Sequence, residues 1–378
     1  MRIRTITLGV HMEPPRMDGI LEDAGAFLEN ARERFIDSGI QVQTVRLATQ
    51  GWGSFTQDLE DRERITLFSD IDRGARKAGI DYVSIGPALT GTEISLVPYI
   101  LKATEATCCS AFTGDVNTGP VEHNVLVSAV AVLEAAKLSG DGSFNFRFAS
   151  IANCPSGIPF FPAAYHGGAE RTWSVGLECG DLVRTALRGS DRLKDIKDSM
   201  FEQYKDPMGT IDEIASGIEG ARFAGIDPST APSLEVEGSV AYGISDFMGV
   251  PFGSPGTLAV CAEITKALHA MEGTVGYSGL MLPVMEDRGL AEGADNGAYN
   301  VRDLLSYSSV CGTGLDTVPV PGTVDPSALR STIMDMTSLA IRLNKPLSAR
   351  ILPIPGAGPG DRSDLGSPHL INCRVLEI

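Results

Sequence analysis

The sequence has no apolar run of the roughly 18 residues that a membrane-spanning helix needs, so we expect no membrane association. It has no CxxC, HxxxH or HExxH motif, and a classical zinc site therefore has no support. Basic residues are few, since 31 Lys and Arg stand against 48 Asp and Glu and the formal net charge is −17. This charge argues against a nucleic-acid-binding protein, because neutralising phosphates requires a dense Lys and Arg face.

Disulfide bonds are not expected either. The seven cysteines are odd in number and scattered through apolar stretches, which suits reduced thiols, and the adjacent Cys108 and Cys109 are interpreted as core residues. The opening residues alternate as in a strand and lack the features of a secretory signal. A composition of 43% hydrophobic and 21% charged residues is typical of a soluble globular protein. We therefore expect a cytoplasmic protein with a large core.

Strand-like and helix-like segments alternate along the chain. This pattern predicts a parallel sheet with helices packed outside it. Among the elements, we predict a strand at Phe144–Ala152, mostly helix over Leu193–Phe223 and a helix at Pro326–Leu343. No flexible linker interrupts the pattern, so we expect one compact α/β domain of two halves, about 1–190 and 191–378.

Several collinear segments resemble a known family. They are Arg4–Gly9, Ala163–Gly168, Asp227 before Ala231-Pro232, Gly276–Leu280 with Pro283–Asp287, Cys311–Asp316 and Arg350–Pro353. In this order they are similar to the domain of unknown function 711 family, also called the UPF0210 group. The resemblance spans nearly the whole chain.

The resemblance implies a fold related to the glycyl radical enzymes: a ten-stranded α/β barrel of two five-stranded parallel halves that run antiparallel to each other. It implies little about activity, because the family has no agreed reaction and a fold does not determine a function. The glycyl radical motif is absent. The nearest string, Thr274–Tyr277, lacks the arginine and lies about a hundred residues too early, so we expect no radical chemistry.

Two polar residues follow strand-like segments where α/β sheets present their ligands. His166 lies in a loop with two glycines and is a candidate general acid or base, because its pKa lies near neutral pH. Its alternative role is a loop histidine bonded to a backbone carbonyl. Asn153 ends the preceding strand and is a candidate substrate-binding residue.

Three acids are candidate catalytic or metal-binding groups. Glu178 opens a helix, where an acid can simply favour the helix dipole, but at a barrel mouth it could act as an acid–base partner or a metal ligand. Glu286 belongs to an adjacent acid pair that could equally face solvent, and it is a second candidate metal ligand. Asp316 leads into a strand and is a candidate catalytic carboxylate. A divalent metal ion is the one cofactor that this set suggests.

Candidate substrate contacts come from a helix start and a strand. Ser254, Gly256 and Thr257 precede a helix whose free N–H groups could hold an anion, although ordinary helix capping explains them as well. Arg350 lies inside an apolar strand, so it needs an acid partner or an anionic ligand.

The function predicted from these residues is an acid–base lyase or hydrolase that works without a radical on a small carboxylate or amino-acid-like metabolite. One alternative is a non-catalytic metabolite-binding sensor. Another is a cysteine-dependent transferase that uses Cys311, although core packing also explains this residue. The expected partner is a small molecule, and a homodimer is one option for the oligomeric state.

Overall fold

The computed structural model describes residues 1–378 as a mixed α/β fold built on one ten-stranded sheet. The strands are β1 (Arg2–Gly9), β2 (Val42–Ala48), β3 (Tyr82–Ala88), β4 (Thr107–Asp115), β5 (Gly119–Pro120), β6 (Phe148–Ala152), β7 (Thr172–Glu178), β8 (Arg222–Ala231), β9 (Gly314–Pro321) and β10 (Leu347–Ile354). The helices are α1 (Met17–Asp37), α2 (Gly53–Thr56), α3 (Asp61–Lys77), α4 (Gly91–Ala103), α5 (Glu122–Ser139), α6 (Gly180–Arg188), α7 (Ile196–Ser216), α8 (Val240–Met248), α9 (Thr257–His269), α10 (Arg288–Asp295), α11 (Val301–Ser308) and α12 (Pro326–Leu343).

The strand order is β8-β7-β1-β2-β3-β4-β6-β10-β9, with the short β5 paired to β4. The five central strands β1, β2, β3, β4 and β6 are parallel. The pairs β7–β8 and β9–β10 flank them and run antiparallel to them. The expected α/β class and ten-stranded sheet are thus confirmed, while hydrogen bonds between strands do not close the sheet into a ring.

Amphipathic helices cover the outer face of the sheet. In α1, the buried residues Leu21, Leu28 and Phe35 recur every seven positions, which places them on one side of the helix. That side packs on β1 and β2. Helix α3 contacts β3, and helices α5 and α12 both contact β10. The strand residues that face these helices are apolar, so the main hydrophobic core lies between the sheet and its outer helices. None of the helices combines the length and apolar character needed to cross a membrane.

The inner face is covered by the connection between β6 and β7, residues 153–171, which we call the inner loop. Hydroxyls on the strands bind its carbonyls: Thr7 Oγ1 donates to Pro159 O at 2.8 Å, and Ser84 Oγ donates to Ala164 O at 2.6 Å. Phe160 presses on β7 so closely that a Cβ at Gly176 would lie 2.8 Å from its ring. A larger residue at position 176 would have to displace the Phe160 ring, so Gly176 allows the inner loop to pack closely against the sheet.

Three segments show where the predictions of secondary structure succeeded and failed. The helix Pro326–Leu343 is confirmed, because Asp325 caps its start and Asn344 ends it in the left-handed conformation. The predicted strand Phe144–Ala152 is wrong in its first part, since Ser143–Arg147 form a 3-10 helix. The prediction of helix up to Phe223 missed β8, whose Asp-Pro pair is unusual in a strand.

Asp227 of β8 explains why this unusual strand is stable. Its carboxylate is fully buried and accepts hydrogen bonds from the N–H groups of Ser229, Tyr277 and Ser278 at 2.8–3.0 Å and from the Ser229 hydroxyl at 2.6 Å. At Gly276, whose φ is +78°, a Cβ would lie 2.1 Å from this carboxylate. The side chain of Asp227 therefore joins β8 to the segment 274–285.

The segment 274–285 contacts both edges of the sheet. Thr274 forms an isolated parallel bridge with Ile226 of β8, and Pro283 forms one with Asp316 of β9. Between these bridges, the Gly279 carbonyl accepts a hydrogen bond from the Thr230 N–H at 3.3 Å. The segment thus lies between the two edge strands, in the gap that strand pairing leaves open.

We predict that Asp227→Asn lowers the free energy of unfolding by about 1–3 kcal/mol, because an amide N–H₂ would face N–H donors that the carboxylate now satisfies. Denaturant unfolding at pH 7.5 measures the loss. Asp206→Asn is the control, since Asp206 is exposed on α7 and its side chain binds nothing. Equal unfolding midpoints for the two variants would contradict this role of Asp227.

Candidate functional site

A cavity of about 80 Å³ remains between the sheet, the inner loop and the segment 274–285. Charged side chains line it, namely Arg4, Arg46, Arg350, Glu286 and Asp316. Aromatic side chains form much of the remaining wall, namely Tyr82, Phe146, Phe160, Phe161, Tyr277 and His369. The combination of apolar walls with a few convergent charges is typical of a small-molecule site.

The strand alternation explains why charges converge here. Along β1, Ile3 packs in the outer core, whereas Arg4 points to the inner face. On β2, Val45 lies in that core and Arg46 lines the cavity. The same alternation on β10 directs Arg350 inward. Three strands thus each place an arginine on one face of the sheet, although they come from distant parts of the chain.

Glu178, the last residue of β7, binds two arginines of β1. Its Oε1 lies 2.5 Å from Arg2 Nε and its Oε2 lies 2.9 Å from Arg4 Nη1, while Gln43 Nε2 also donates to Oε2 at 3.2 Å. Arg4 then reaches further and contacts Glu286 Oε2 through Nη2. Glu178 therefore lies behind Arg4 and fixes the direction in which Arg4 enters the cavity.

Arg350 joins the two carboxylates of the cavity wall. Its Nη2 lies 2.5 Å from Glu286 Oε1, and its Nε lies 2.6 Å from Asp316 Oδ1. Its Cζ lies 4.9 Å from the centre of the Phe146 ring, which adds a cation–π contact. One guanidinium thus holds both acids in place from inside a strand.

The two acids have pKa values that are shifted in opposite directions. Burial raises the pKa of Asp316 above its usual value, and the nearby charge of Glu286 adds to this effect against the opposing charge of Arg350. Burial would also raise the pKa of Glu286, but Arg350, Arg4 and Arg46 outweigh it, and the pKa of Glu286 is lowered. Such a separation is how neighbouring acids take different roles in proton transfer.

The structure brings together four of the residues predicted from the sequence: Glu178, Glu286, Asp316 and Arg350. The expected acid partner of Arg350 is found in Asp316 and Glu286. Glu178 does not cap the helix that follows it, and Glu286 does not face solvent, since both side chains are buried in ion pairs. These four residues form the candidate site.

The predicted metal ligands Glu178 and Glu286 both face arginines. No group of three or more His, Cys, Asp or Glu side chains is arranged to hold a metal ion. Each oxygen of the two carboxylates accepts a hydrogen bond from an arginine, and metal binding would have to displace these bonds. Metal binding by these residues stays a prediction.

His166 and Asn153 line a different cleft, at the carboxyl ends of the central parallel strands. Asn153 Nδ2 donates to Asn344 Oδ1 at 3.3 Å. His166 is buried over the end of β1, where a Cβ at Gly9 would lie 2.5 Å from its Nδ1. Burial lowers the pKa of His166 and so favours the neutral imidazole. Roles for these two residues stay predictions for this second cleft.

The remaining predicted residues lie away from the cavity lining. Ser254, Gly256 and Thr257 form the start of α9, where the Thr257 hydroxyl donates to Ser254 O at 2.8 Å. Cys311 is fully buried, and its Sγ accepts a hydrogen bond from the Gly314 N–H at 3.3 Å. The assignment of these residues to substrate binding or catalysis is not supported by proximity to the acids and stays a prediction.

Sequence reasoning missed several lining residues, above all Arg4, Arg46 and His369. The signal for the arginines was present, because a strand of a parallel sheet is normally apolar on both faces, whereas β1 carries Arg2 and Arg4 and β2 carries Arg46. Cys108 was assigned to the core, and it also borders the cavity. Burial raises the pKa of its thiol to about 11, so it is not a thiolate nucleophile at neutral pH.

Comparisons with known proteins identify relatives along the whole chain. The sequence profile of a family described as "Uncharacterised ACR (DUF711)" matches residues 1–366. A UPF0210 protein of Pyrobaculum arsenaticum is 31% identical, over 96% of this chain and 87% of the relative. UPF0210 proteins of Pyrobaculum aerophilum and Methanopyrus kandleri are 30% and 28% identical, over 100% and 96% of this chain and 90% and 88% of their own lengths.

We predict that Arg350→Met lowers the free energy of unfolding by about 3–5 kcal/mol at pH 7.5, because it leaves the Asp316 carboxylate without a cation and Glu286 with Arg4 alone. The loss of unfolding free energy is smaller at pH 5 than at pH 7.5. Without Arg350, burial raises the folded-state pKa of Asp316 still further above its unfolded value, so the variant gains relative stability as Asp316 becomes protonated.

Denaturant unfolding at pH 7.5 and pH 5 measures both effects. Arg222→Met is the control, since Arg222 forms an ion pair with Glu170 in which both side chains are more than half exposed, and the expected loss is below about 1 kcal/mol. The burial of this network would be contradicted if Arg350→Met lost as little unfolding free energy as Arg222→Met. It would also be contradicted if the loss in Arg350→Met did not depend on pH.

Proposed function

The chain belongs to the uncharacterised DUF711 family of UPF0210 proteins, and we propose that it is an acid–base enzyme of small-molecule metabolism with its site in the inner cavity. The reaction is of the lyase or hydrolase type. The proposal rests on the arrangement of charges, because the family carries no assigned reaction.

The observation that supports this function most directly is the free oxygen of Asp316. Both oxygens of Glu178 and of Glu286 accept hydrogen bonds from arginines. Asp316 uses only Oδ1 in this way, and its Oδ2 has no hydrogen-bond partner in the protein. Since Asp316 lines the cavity, Oδ2 is the atom of this network that can exchange a proton with a bound molecule.

The electrostatic environment suits this task. Burial raises the pKa of Asp316 above its usual value, which makes this carboxyl group a stronger proton acceptor than a free aspartate. Arg350 holds Oδ1 and so orients Oδ2, while the charge of Glu286 stays compensated by Arg350 and Arg4. In this proposal Asp316 transfers the proton, and Glu286 and Arg350 are positioning residues.

We further propose that the fold encloses the cavity as a barrel of the glycyl radical enzyme type. The segment 274–283 runs parallel to both edge strands at its isolated bridges and would act as a further strand between β8 and β9. It would then complete a second parallel half with β7, β8, β9 and β10, antiparallel to the first half. This arrangement agrees with the resemblance on which the barrel was first expected.

A sensor without catalytic activity is the second candidate, and one observation favours it. Nearly every carboxylate oxygen of the network is already bound to an arginine, which suits a rigid binding site as well as a catalytic one. The two functions differ in whether a bound molecule is converted.

We predict that Asp316→Asn lowers turnover by at least about a hundredfold and leaves binding within a few fold, because it removes the proton-transfer group and keeps its volume. The protein is incubated in D₂O with a panel of small carboxylic acids, their amides and their esters. Nuclear magnetic resonance then detects loss of substrate C–H signals or appearance of cleavage products, and a thermal-shift measurement reports binding.

Asp206→Asn, on the exposed face of α7, is the control and should convert the same compounds as the unchanged protein. Conversion at an unchanged rate by Asp316→Asn would contradict the role of Asp316. Binding of panel members without conversion of any of them would favour the sensor.

The cysteine-dependent transferase has a separate test. We predict that iodoacetamide at pH 7.5 leaves Cys311 unmodified in the folded protein, because its side chain is fully buried, and modifies it in denaturant. Peptide mass spectrometry measures the modification. Rapid labelling of Cys311 in the folded protein would instead support the transferase.

A further inference from the structure

Arg46 differs from the other two arginines of the cavity wall because it has no carboxylate partner. Arg4 contacts both Glu178 and Glu286, and Arg350 contacts both Glu286 and Asp316. Arg46 makes one hydrogen bond within the protein, from Nε to Thr44 Oγ1 at 3.0 Å. The N–H groups of Nη1 and Nη2 therefore donate no hydrogen bond within the protein.

Aromatic rings hold the Arg46 guanidinium in place. Its Cζ lies 5.2 Å from the centre of the Phe161 ring and 5.6 Å from that of Tyr82, so two cation–π contacts take the place of an ion pair. Because Arg46 is among the residues that line the cavity, its unused donors have access to a ligand there. A guanidinium with both Nη groups free presents a planar pair of donors, whose geometry fits the two oxygens of a carboxylate.

The pKa of Arg46 also indicates a cation that lacks a counterion. Burial lowers its pKa to about 10, and the neighbouring charge of Arg4 adds to the shift. The pKa of Arg350, by contrast, is raised well above its usual value, since Asp316 and Glu286 overcome the effect of burial. Arg46 is partly buried, and a cation taken out of water without a counterion is costly, so an anion that enters the cavity would reduce that cost.

We propose that the cavity binds a small monocarboxylate through a bidentate contact with Nη1 and Nη2 of Arg46. This inference rests on the proposed function for the location of the site, and it adds the chemical class of the ligand. The carboxylate would lie at one end of the cavity, and the remainder of the ligand would extend along the aromatic wall toward Asp316.

The charge balance around the cavity favours a ligand with a single negative charge. The network has one more arginine than it has carboxylates, so one positive charge is left over when all the acids are ionised. The arginines are Arg2, Arg4, Arg46 and Arg350, and the acids are Glu178, Glu286 and Asp316. A phosphate monoester carries about −1.5 to −2 at pH 7 and would bring excess negative charge next to these acids. A carboxylate carries one charge and has the planar geometry of the Arg46 fork.

The size of the cavity limits the ligand further. Its volume of about 80 Å³ suits a compact acid rather than a nucleotide or a peptide. The wall beside Arg46 is formed by Tyr82 and Phe161, which favours an apolar group next to the carboxylate. We therefore expect short-chain acids such as acetate and propionate to bind, and their methyl amides, which lack the charge, to bind at least tenfold more weakly.

Isothermal titration of the purified protein with sodium acetate, sodium propionate and sodium methyl phosphate tests the proposal. We expect the two carboxylates to bind and methyl phosphate to bind at least about tenfold more weakly. Arg46→Gln should lower the affinity for propionate by at least about tenfold, because it removes charged hydrogen bonds. Arg46→Lys keeps the positive charge but lacks the paired donors of a guanidinium. Its affinity for propionate should lie between those of Arg46→Gln and the unchanged protein.

Arg222→Gln is the matched control, since it removes the same charge from an exposed ion pair and should leave the affinity unchanged. A single cooperative melting transition in each Arg46 variant would show that the variant is folded. Failure of the unchanged protein to bind either carboxylate, unchanged affinity in Arg46→Gln, or tighter binding of methyl phosphate would overturn the proposal.

Asp316→Asn separates this inference from the proposed function. Its binding of propionate should persist through Arg46, whether or not the protein is an enzyme. Loss of propionate binding in Arg46→Gln but not in Asp316→Asn supports the carboxylate site even if Asp316 proves to have no catalytic role.

Discussion

The structure depends on the neutralisation of arginines that point to the inner face of the sheet. A buried guanidinium costs several kcal/mol unless it is paired and hydrogen-bonded. Arg4 and Arg350 meet this requirement through Glu178, Glu286 and Asp316, which come from three distant parts of the chain. The ion network therefore connects the flanking strands β7, β9 and β10 to the central strand β1, across a face that the hydrophobic core does not occupy.

The same requirement explains why this face can serve as a site. An apolar inner face would have filled with side chains, whereas paired charges leave a cavity with polar groups in defined positions. The pairing is incomplete at two points, Arg46 and Asp316 Oδ2. These two groups, one cationic and one able to exchange a proton, are where a small acid would be held and where chemistry would take place.

Parts of this account could be predicted from the sequence. The helix Pro326–Leu343 follows from local signals, and the need of Arg350 for an acid partner follows from the cost of a buried charge. The strand β8 could not be recognised, because its stability comes from hydrogen bonds between Asp227 and residues about 50 positions away. Arg46 was missed for a similar reason: alternation predicts a strand, but only the tertiary structure shows which face encloses a cavity and which cation lacks a partner.

The central claim is that Arg46 is held without a counterion so that it can receive a carboxylate. A crystal structure of the protein soaked in sodium propionate tests this claim most directly. The account predicts a propionate carboxylate within about 3 Å of both Nη1 and Nη2 of Arg46, with Arg4 and Arg350 still paired to their acids. An Arg46 guanidinium that instead forms an ion pair with Glu286 or Asp316, with no carboxylate bound, would contradict it.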